Sequence, residues 1–156
     1  NGERTPHLDP NARGVFFGLS GIHTRAHLIR AVMEGVSYSL RDSIQILREM
    51  NIETSEMAAT GGGGRSRLWR QMLADNYRCP VKTVESKEGP ALGVAILAGV
   101  GAGLFASVEE GCAALVQSGP AQEPNAANAS VYDRAYPLYR ELYDRLKGSF
   151  AKLAEL

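Results

Sequence analysis

Four consecutive glycines, Gly61-Gly62-Gly63-Gly64, separate the short apolar run Met57-Ala58-Ala59-Thr60 from Arg65-Ser66-Arg67-Leu68-Trp69-Arg70-Gln71-Met72-Leu73, which has helical spacing. The order is strand, glycine turn, helix. Such a turn aims backbone N–H groups and the positive end of a helix at one point, where a phosphate can sit. Glycine also removes the Cβ atoms that would block a ligand's approach. The run nevertheless meets neither standard phosphate fingerprint. Gly61 to Ser66 lacks the Gly-Lys-Ser/Thr ending of a P-loop, and Ser66 stands where the dinucleotide pattern has its third glycine. Two readings stay open at this point, a ligand-binding turn or a tight strand-to-helix connection. Ser66 is a natural N-cap for the helix that follows. Arg65 is placed to reach a phosphate or a carboxylate, or else is solvated. Trp69 falls on the apolar stripe with Leu68, Met72 and Leu73 and reads as core, not as a stacking platform.

Other segments give a coarse map. Val15-Phe16-Phe17-Gly18-Leu19 reads as a buried strand and residues 81–84 as a short one. Between them a long helix is expected from a cap near Thr24. Ile29, Val32, Met33, Val36, Leu40, Ile44 and Leu47 would face inward, and Arg30, Glu34, Ser37, Arg41 and Arg48 outward. Gly35, inside that helix, costs about 1 kcal/mol relative to alanine and suggests close packing. Pro90 fits the first turn of a helix of small residues that Gly99, Gly101 and Gly103 should end. Residues 108–116 form a further short helix and 117–130 a loop. Residues 131–156 form the last helix, started or kinked by Pro137, with Leu138, Leu142, Leu146, Phe150 and Leu153 inward. Strands alternating with helices indicate an α/β domain with a largely parallel sheet. Three strands are few for a complete sheet of this kind. The opening Asn1-Gly2-Glu3, without an initiator methionine, reads as an excised piece of a longer polypeptide. Residues 1–156 are thus expected to be a single domain truncated on its N-terminal side.

Composition excludes several partners. The 17 basic and 17 acidic residues cancel, so there is no electrostatic footprint for nucleic acid or an anionic membrane. Cys79 and Cys112 are too few for a disulfide framework, which points to a reducing, cytoplasmic setting. His7, His23 and His27 lack a set of metal-ligand partners. The uncharged stretch 89–108 carries glycines at membrane-dimer spacing but reads as a closely packed soluble helix. His27 is expected to be a satisfied structural histidine on a buried helix. Asp42 and Asp75 are expected to cap or pair, and Asp9 to form an Asp-Pro turn. No nucleophile–base pair stands out. Binding chemistry is visible here, and reaction chemistry is not.

Gly14-x-Phe16-x-Gly18-Leu19, seven residues, then His27-Leu28-x-x-Ala31-Val32-Met33-Glu34 resembles the second signature of the FGGY carbohydrate kinases at every constrained position. Residues 2–14, Gly61-Gly62-Gly63-Gly64-Arg65-Ser66 and Glu88-Gly89-Pro90-Ala91-Leu92-Gly93 are similar to the xylulokinase branch of that family. Gly64 departs mildly, since many relatives carry alanine there, a change expected to be harmless. The resemblance implies the ribonuclease-H-like fold of sugar kinases, Hsp70 and actin, in which two domains close over ATP and Mg²⁺. This chain would be most of the C-terminal domain, lacking its first strands. The implied reaction moves the γ-phosphoryl group of ATP to the 5-hydroxyl of D-xylulose. Its catalytic base and most sugar contacts would lie elsewhere, and the ligands of Mg²⁺ are not identifiable in this sequence. By the motif, Gly61, Gly62, Gly63 and Ser66 would border ATP, and the loop bearing Arg4, Thr5 and Asp9 would face the cleft between domains. The implied partners are ATP, a small ketose and the missing N-terminal domain. An uncovered sheet edge would also invite pairing into a homodimer. Alternatives are an FGGY kinase for ribulose, gluconate or glycerol, and a non-catalytic actin-like nucleotide-binding or assembly module.

Overall fold

The first helix begins where Thr24 and His27 close on each other. The Thr24 N–H donates to His27 Nδ1 at 3.1 Å, and the Thr24 hydroxyl lies 2.9 Å from the same nitrogen. Histidine here takes the part that Glu or Gln plays in a capping box. His27 is therefore satisfied as expected, but it is exposed, not buried. The computed structural model describes residues 2–84 and 89–156. Eight elements follow in order: α1 (Arg25–Glu49), β1 (Met57–Ala59), α2 (Gly61–Gly64), α3 (Arg67–Tyr77), β2 (Val81–Thr83), α4 (Gly89–Gly101), α5 (Val108–Leu115) and α6 (Ala126–Ala154). They fall into two compact units. One comprises Asn1–Thr54, Asp75–Arg78 and Pro124–Leu156, and the other Ser55–Ala74 and Cys79–Glu123.

In the first unit α1 packs on α6 through the side of α1 that the sequence pattern assigned to solvent. Ser37 and Asp42 are buried there. Asn76 Nδ2 donates to Ser37 Oγ at 2.7 Å, and Arg41 donates to Asn76 Oδ1 at 3.1 Å and to Asp133 Oδ1 at 2.7 Å. Tyr136 donates its hydroxyl to Asp42 at 2.5 Å, and Tyr132 donates to Glu34 at 3.1 Å. The Tyr38 ring lies between those of Tyr132, Tyr136 and Tyr139, with centroids 5.2 to 6.1 Å away. Burial raises Tyr38 and Tyr132 to about 12, so both keep their hydroxyl protons. Tyrosine suits this seam because its ring supplies apolar area while its hydroxyl finds an acceptor.

The apolar stripe of α1 is mostly uncovered. Ile29, Val32, Val36 and Leu40 are all roughly half exposed, while Ile44 is 4% exposed. The helical period holds, while the expected inward side is buried at Ile44 and half-buried at Met33 and Leu47 only. Gly35 has nothing within 4 Å of where a Cβ would stand, so close packing does not explain it. Residues 15–19 also depart from expectation. They form no strand, and Phe17 is 73% exposed. A strand needs a neighbour's hydrogen-bonding edge, and among the described residues none is paired with this segment.

Helix α6 begins at Ala126, well before the expected 131, because Asn125 caps it. Asn125 Oδ1 accepts from Ala127 N and Asn128 N at 3.0 and 3.1 Å. Asp75 steadies that cap, accepting from Asn125 N at 2.7 Å and from Asn128 Nδ2 at 2.8 Å. Asp75 and Asp42 thus pair as expected. Pro137 lies inside α6 and does not start it. The buried set is Ala129, Tyr132, Tyr136 and Phe150, whereas Leu138 and Leu153 are exposed.

In the second unit β1 and β2 pair in parallel, Met57 opposite Val81 and Ala59 opposite Thr83. Met72, Leu73, Ala74, Cys79, Val81 and Ile96 are buried in this unit. Pro90 sits in the first turn of α4, as expected. Helices α4 and α5 approach closely around Phe105: a Cβ at Gly99 would stand 2.8 Å from its ring, and one at Gly111 would stand 2.7 Å from Ile96. Ser107 caps α5, accepting from Glu110 N at 3.2 Å, while Glu110 reaches back to Ala106 N at 2.6 Å. Among the described residues no helix is long and apolar enough to cross a membrane.

Candidate functional site

The glycine turn has an open side and a packed side. After β1 the chain leaves Thr60 in an extended conformation and enters the single helical turn α2. Gly61 takes φ +72°, a left-handed value that glycine adopts without strain. A Cβ at Gly61 or Gly62 would meet nothing within 4 Å. The Thr60 side chain makes no capping bond to the turn. Here the backbone is accessible, as a phosphate-binding turn requires.

The other two glycines are held. At Gly63 a Cβ would stand 3.4 Å from the edge of the Trp69 indole. At Gly64 it would stand 2.5 Å from the Ala59 carbonyl oxygen and 2.7 Å from its carbon. Gly64 is therefore not interchangeable with alanine in this backbone, contrary to the expectation of a harmless change: α2 rests directly on the main chain of β1. Ser66 is the cap of α3, as predicted, its Oγ accepting from Trp69 N at 3.3 Å. Arg65 is exposed.

Arg70 was passed over in the sequence. It is 8% exposed, and its Nη1 donates to the Gly64 carbonyl at 2.6 Å. Its Nε is buried with no acceptor. The signal was available: Leu73, Ala74 and Tyr77 follow Arg70 at three, four and seven residues, all buried, so the arginine lies on the inner face.

The loop bearing Arg4, Thr5 and Asp9 belongs to the first unit. Asp9 does form the expected turn, Oδ1 accepting from Asn11 N at 2.8 Å. Its second oxygen accepts from the Tyr143 hydroxyl at 3.1 Å, while His7 stacks on the Tyr143 ring at 3.5 Å. The Glu3 N–H donates to the Asp9 carbonyl at 2.8 Å, closing the loop on itself. Arg4 and Thr5 are exposed. In the motif starting at Glu88, that residue lies outside the described ones, and Gly89 and Pro90 open α4. Among the described residues no group of three or more His, Cys, Asp or Glu is arranged to hold a metal ion.

Residues 1–102 match the C-terminal domain profile of the FGGY family of carbohydrate kinases. The chain belongs to this family. A xylulose kinase of Staphylococcus epidermidis is 42% identical over 152 residues, which are 97% of this chain and 31% of that protein. A gluconokinase of Bacillus licheniformis is 35% identical over 98% of this chain and 30% of its own length. The crystal structure of a ligand-bound xylulose kinase from Lactobacillus acidophilus superposes with a TM-score of 0.88 at 31% identity, covering 96% of this chain and 30% of that one. The fold is thus that of the FGGY sugar kinases, ribonuclease-H-like and α/β, and the chain spans about three-tenths of the curated relatives it matches.

Proposed function

We propose that this FGGY chain is the C-terminal, nucleotide-binding part of a kinase that transfers the γ-phosphoryl group of ATP to the 5-hydroxyl of D-xylulose, giving D-xylulose 5-phosphate. The observation that carries the reading is the glycine turn, with Gly61 and Gly62 open on one side while Gly63 and Gly64 are braced on the other. Gly61, Gly62, Gly63 and Ser66 would border the nucleotide, their N–H groups and the α3 N-terminus opposing phosphate charge. Phosphoryl transfer depends on positioning and charge stabilisation more than on covalent help, so its site can be divided between parts of a protein. Mg²⁺ would neutralise charge on the phosphates. The base and most of the sugar contacts would belong to another part of the protein, and the loop with Arg4, Thr5 and Asp9 would face the cleft between domains. Residues 1–156 would make up one incomplete domain of that cytoplasmic enzyme.

The gluconokinase likeness favours a second reading within the family, a kinase for a different sugar or polyol. An assay of ADP release across ketoses, aldonates and polyols, run on the protein with its N-terminal part, separates the two. D-xylulose should give the highest kcat/KM; a clear preference for gluconate or glycerol would overturn the specific assignment. The 156-residue chain alone should release no ADP with D-xylulose, and turnover by it would contradict the division of the site.

A further inference from the structure

We propose that Arg70 is a positioning residue for the glycine turn, holding the Gly61–Gly64 backbone so that its outer side stays open. A four-residue helix is too short to be stable by itself, and a run of glycines loses more freedom on ordering than any other sequence. Its last carbonyls also lack partners within the helix. Something outside must hold it, and the Arg70 guanidinium does so through the Gly64 carbonyl at 2.6 Å. The bond joins α3 to the turn six residues earlier. It comes from the packed side, where Gly64 rests on Ala59 and the Trp69 ring lies beside Gly63, and leaves Gly61 and Gly62 open.

The electrostatic setting is unusual for an arginine this deeply buried. Such groups are ordinarily paired with a carboxylate. Among the described residues none lies within ion-pair distance of Arg70, and its Nε–H has no acceptor. Packing alone would be met by a residue of similar volume without this desolvation cost, so the role that explains an arginine is donation to Gly64. A positive charge behind the turn also favours an anion in front of it. That consequence rests on the nucleotide reading above; the anchoring does not.

The test therefore begins without nucleotide. Arg65 N and Ser66 N donate to the carbonyls of Gly62 and Gly63 at 3.3 and 3.0 Å and report on the turn. In Arg70→Met these two amides should exchange with deuterium about tenfold faster or more, with α1 and α6 amides unchanged. Arg70→Lys, which keeps a charged donor, should restore most of the protection. Unchanged exchange in the methionine variant would overturn the proposal, and so would a lysine variant as fast as methionine, which would mark a loss of packing alone. Should the methionine variant fail to fold, the unmutated chain decides by NMR. Guanidinium protons of Arg70 should exchange with water about tenfold slower than those of exposed Arg65, and equal rates would overturn the anchor. ADP is then titrated while the Gly61–Gly64 amide signals are followed in the unmutated protein with its N-terminal part. Slow Arg70 protons with no ADP-dependent shift would keep the anchor and reject the nucleotide reading.

Discussion

The glycine turn and helix α1 respond in opposite ways to being read from sequence. At the turn, local backbone chemistry decides nearly everything: Gly61 needs a left-handed φ, Ser66 caps α3, and β1 rests on Gly64. These are relations among neighbours in the chain. On α1 the same kind of reading put in the core a side that is left uncovered along much of the helix and is buried at Ile44. Its polar side carries Ser37, Arg41 and Asp42 into the seam with α6, and its apolar side leaves Val32, Val36 and Leu40 exposed. Periodicity fixes which residues share a face. Which face is covered depends on a partner distant in sequence, here the tyrosines of α6.

The sharpest way to break that comparison is to truncate two members of the one α1 stripe. Ile44→Ala should cost about 2–5 kcal/mol, since Ile44 is buried and its removal leaves a cavity. Val36→Ala, on the exposed part of the stripe, should lie within about 0.5 kcal/mol of the unmutated chain. Urea denaturation of this 156-residue chain measures both. Equal losses would mean that the stripe is covered throughout, and the sequence phase would be restored.

A second pair sharpens the account of the turn. Gly64→Ala should destabilise by about 1–3 kcal/mol because the new Cβ has to displace backbone of β1. Gly62→Ala meets no atom within 4 Å and should be neutral or gain up to about 1 kcal/mol from helix propensity. The same methyl group would protrude on the open side, so if the proposed nucleotide reading holds, affinity for ADP in the protein with its N-terminal part should fall while stability does not. A Gly64→Ala chain as stable as the original would show that α2 shifts freely over β1, against the braced turn described above.

Legibility followed the same division. Residues 81–84, Pro90 in α4 and the Ser66 cap were readable because turn and cap chemistry is local. The cap at Asn125 was missed although asparagine is a strong N-cap, since Asn125-Ala126-Ala127-Asn128 lacks the large apolar side chains whose spacing marks an amphipathic helix. Residues 15–19 have the composition of a strand and form none, because strand formation requires a partner that composition does not reveal. Arg70 and Arg41 share one obstacle: in an amphipathic pattern a charged side chain reads as solvent-facing, and its burial beside a carbonyl or a carboxylate emerges only in the fold.

The smallest expected effect distinguishes two aspartates in the α1–α6 seam by the sign of their pH dependence. Burial raises the Asp42 carboxyl, and the Tyr136 hydroxyl and Arg140 only partly offset it. Burial works the same way on Asp133, but there Arg78 and Arg41 outweigh it and hold the carboxyl below its ordinary value. For Asp42 the folded chain keeps a proton that the unfolded chain releases. Its contribution therefore declines as pH rises from the ordinary aspartate value, about 3.8, through the raised one. For Asp133 the stabilisation is complete above that ordinary value and is lost as pH falls toward the lowered one. Asp42→Asn should flatten the first slope and Asp133→Asn the second, as read from urea midpoints between about pH 2.5 and 7. If both substitutions flatten the acid side alone, the Asp42 carboxylate is as well satisfied as Asp133. The polar seam would then accommodate both charges fully, and burial on α1 would impose no electrostatic cost.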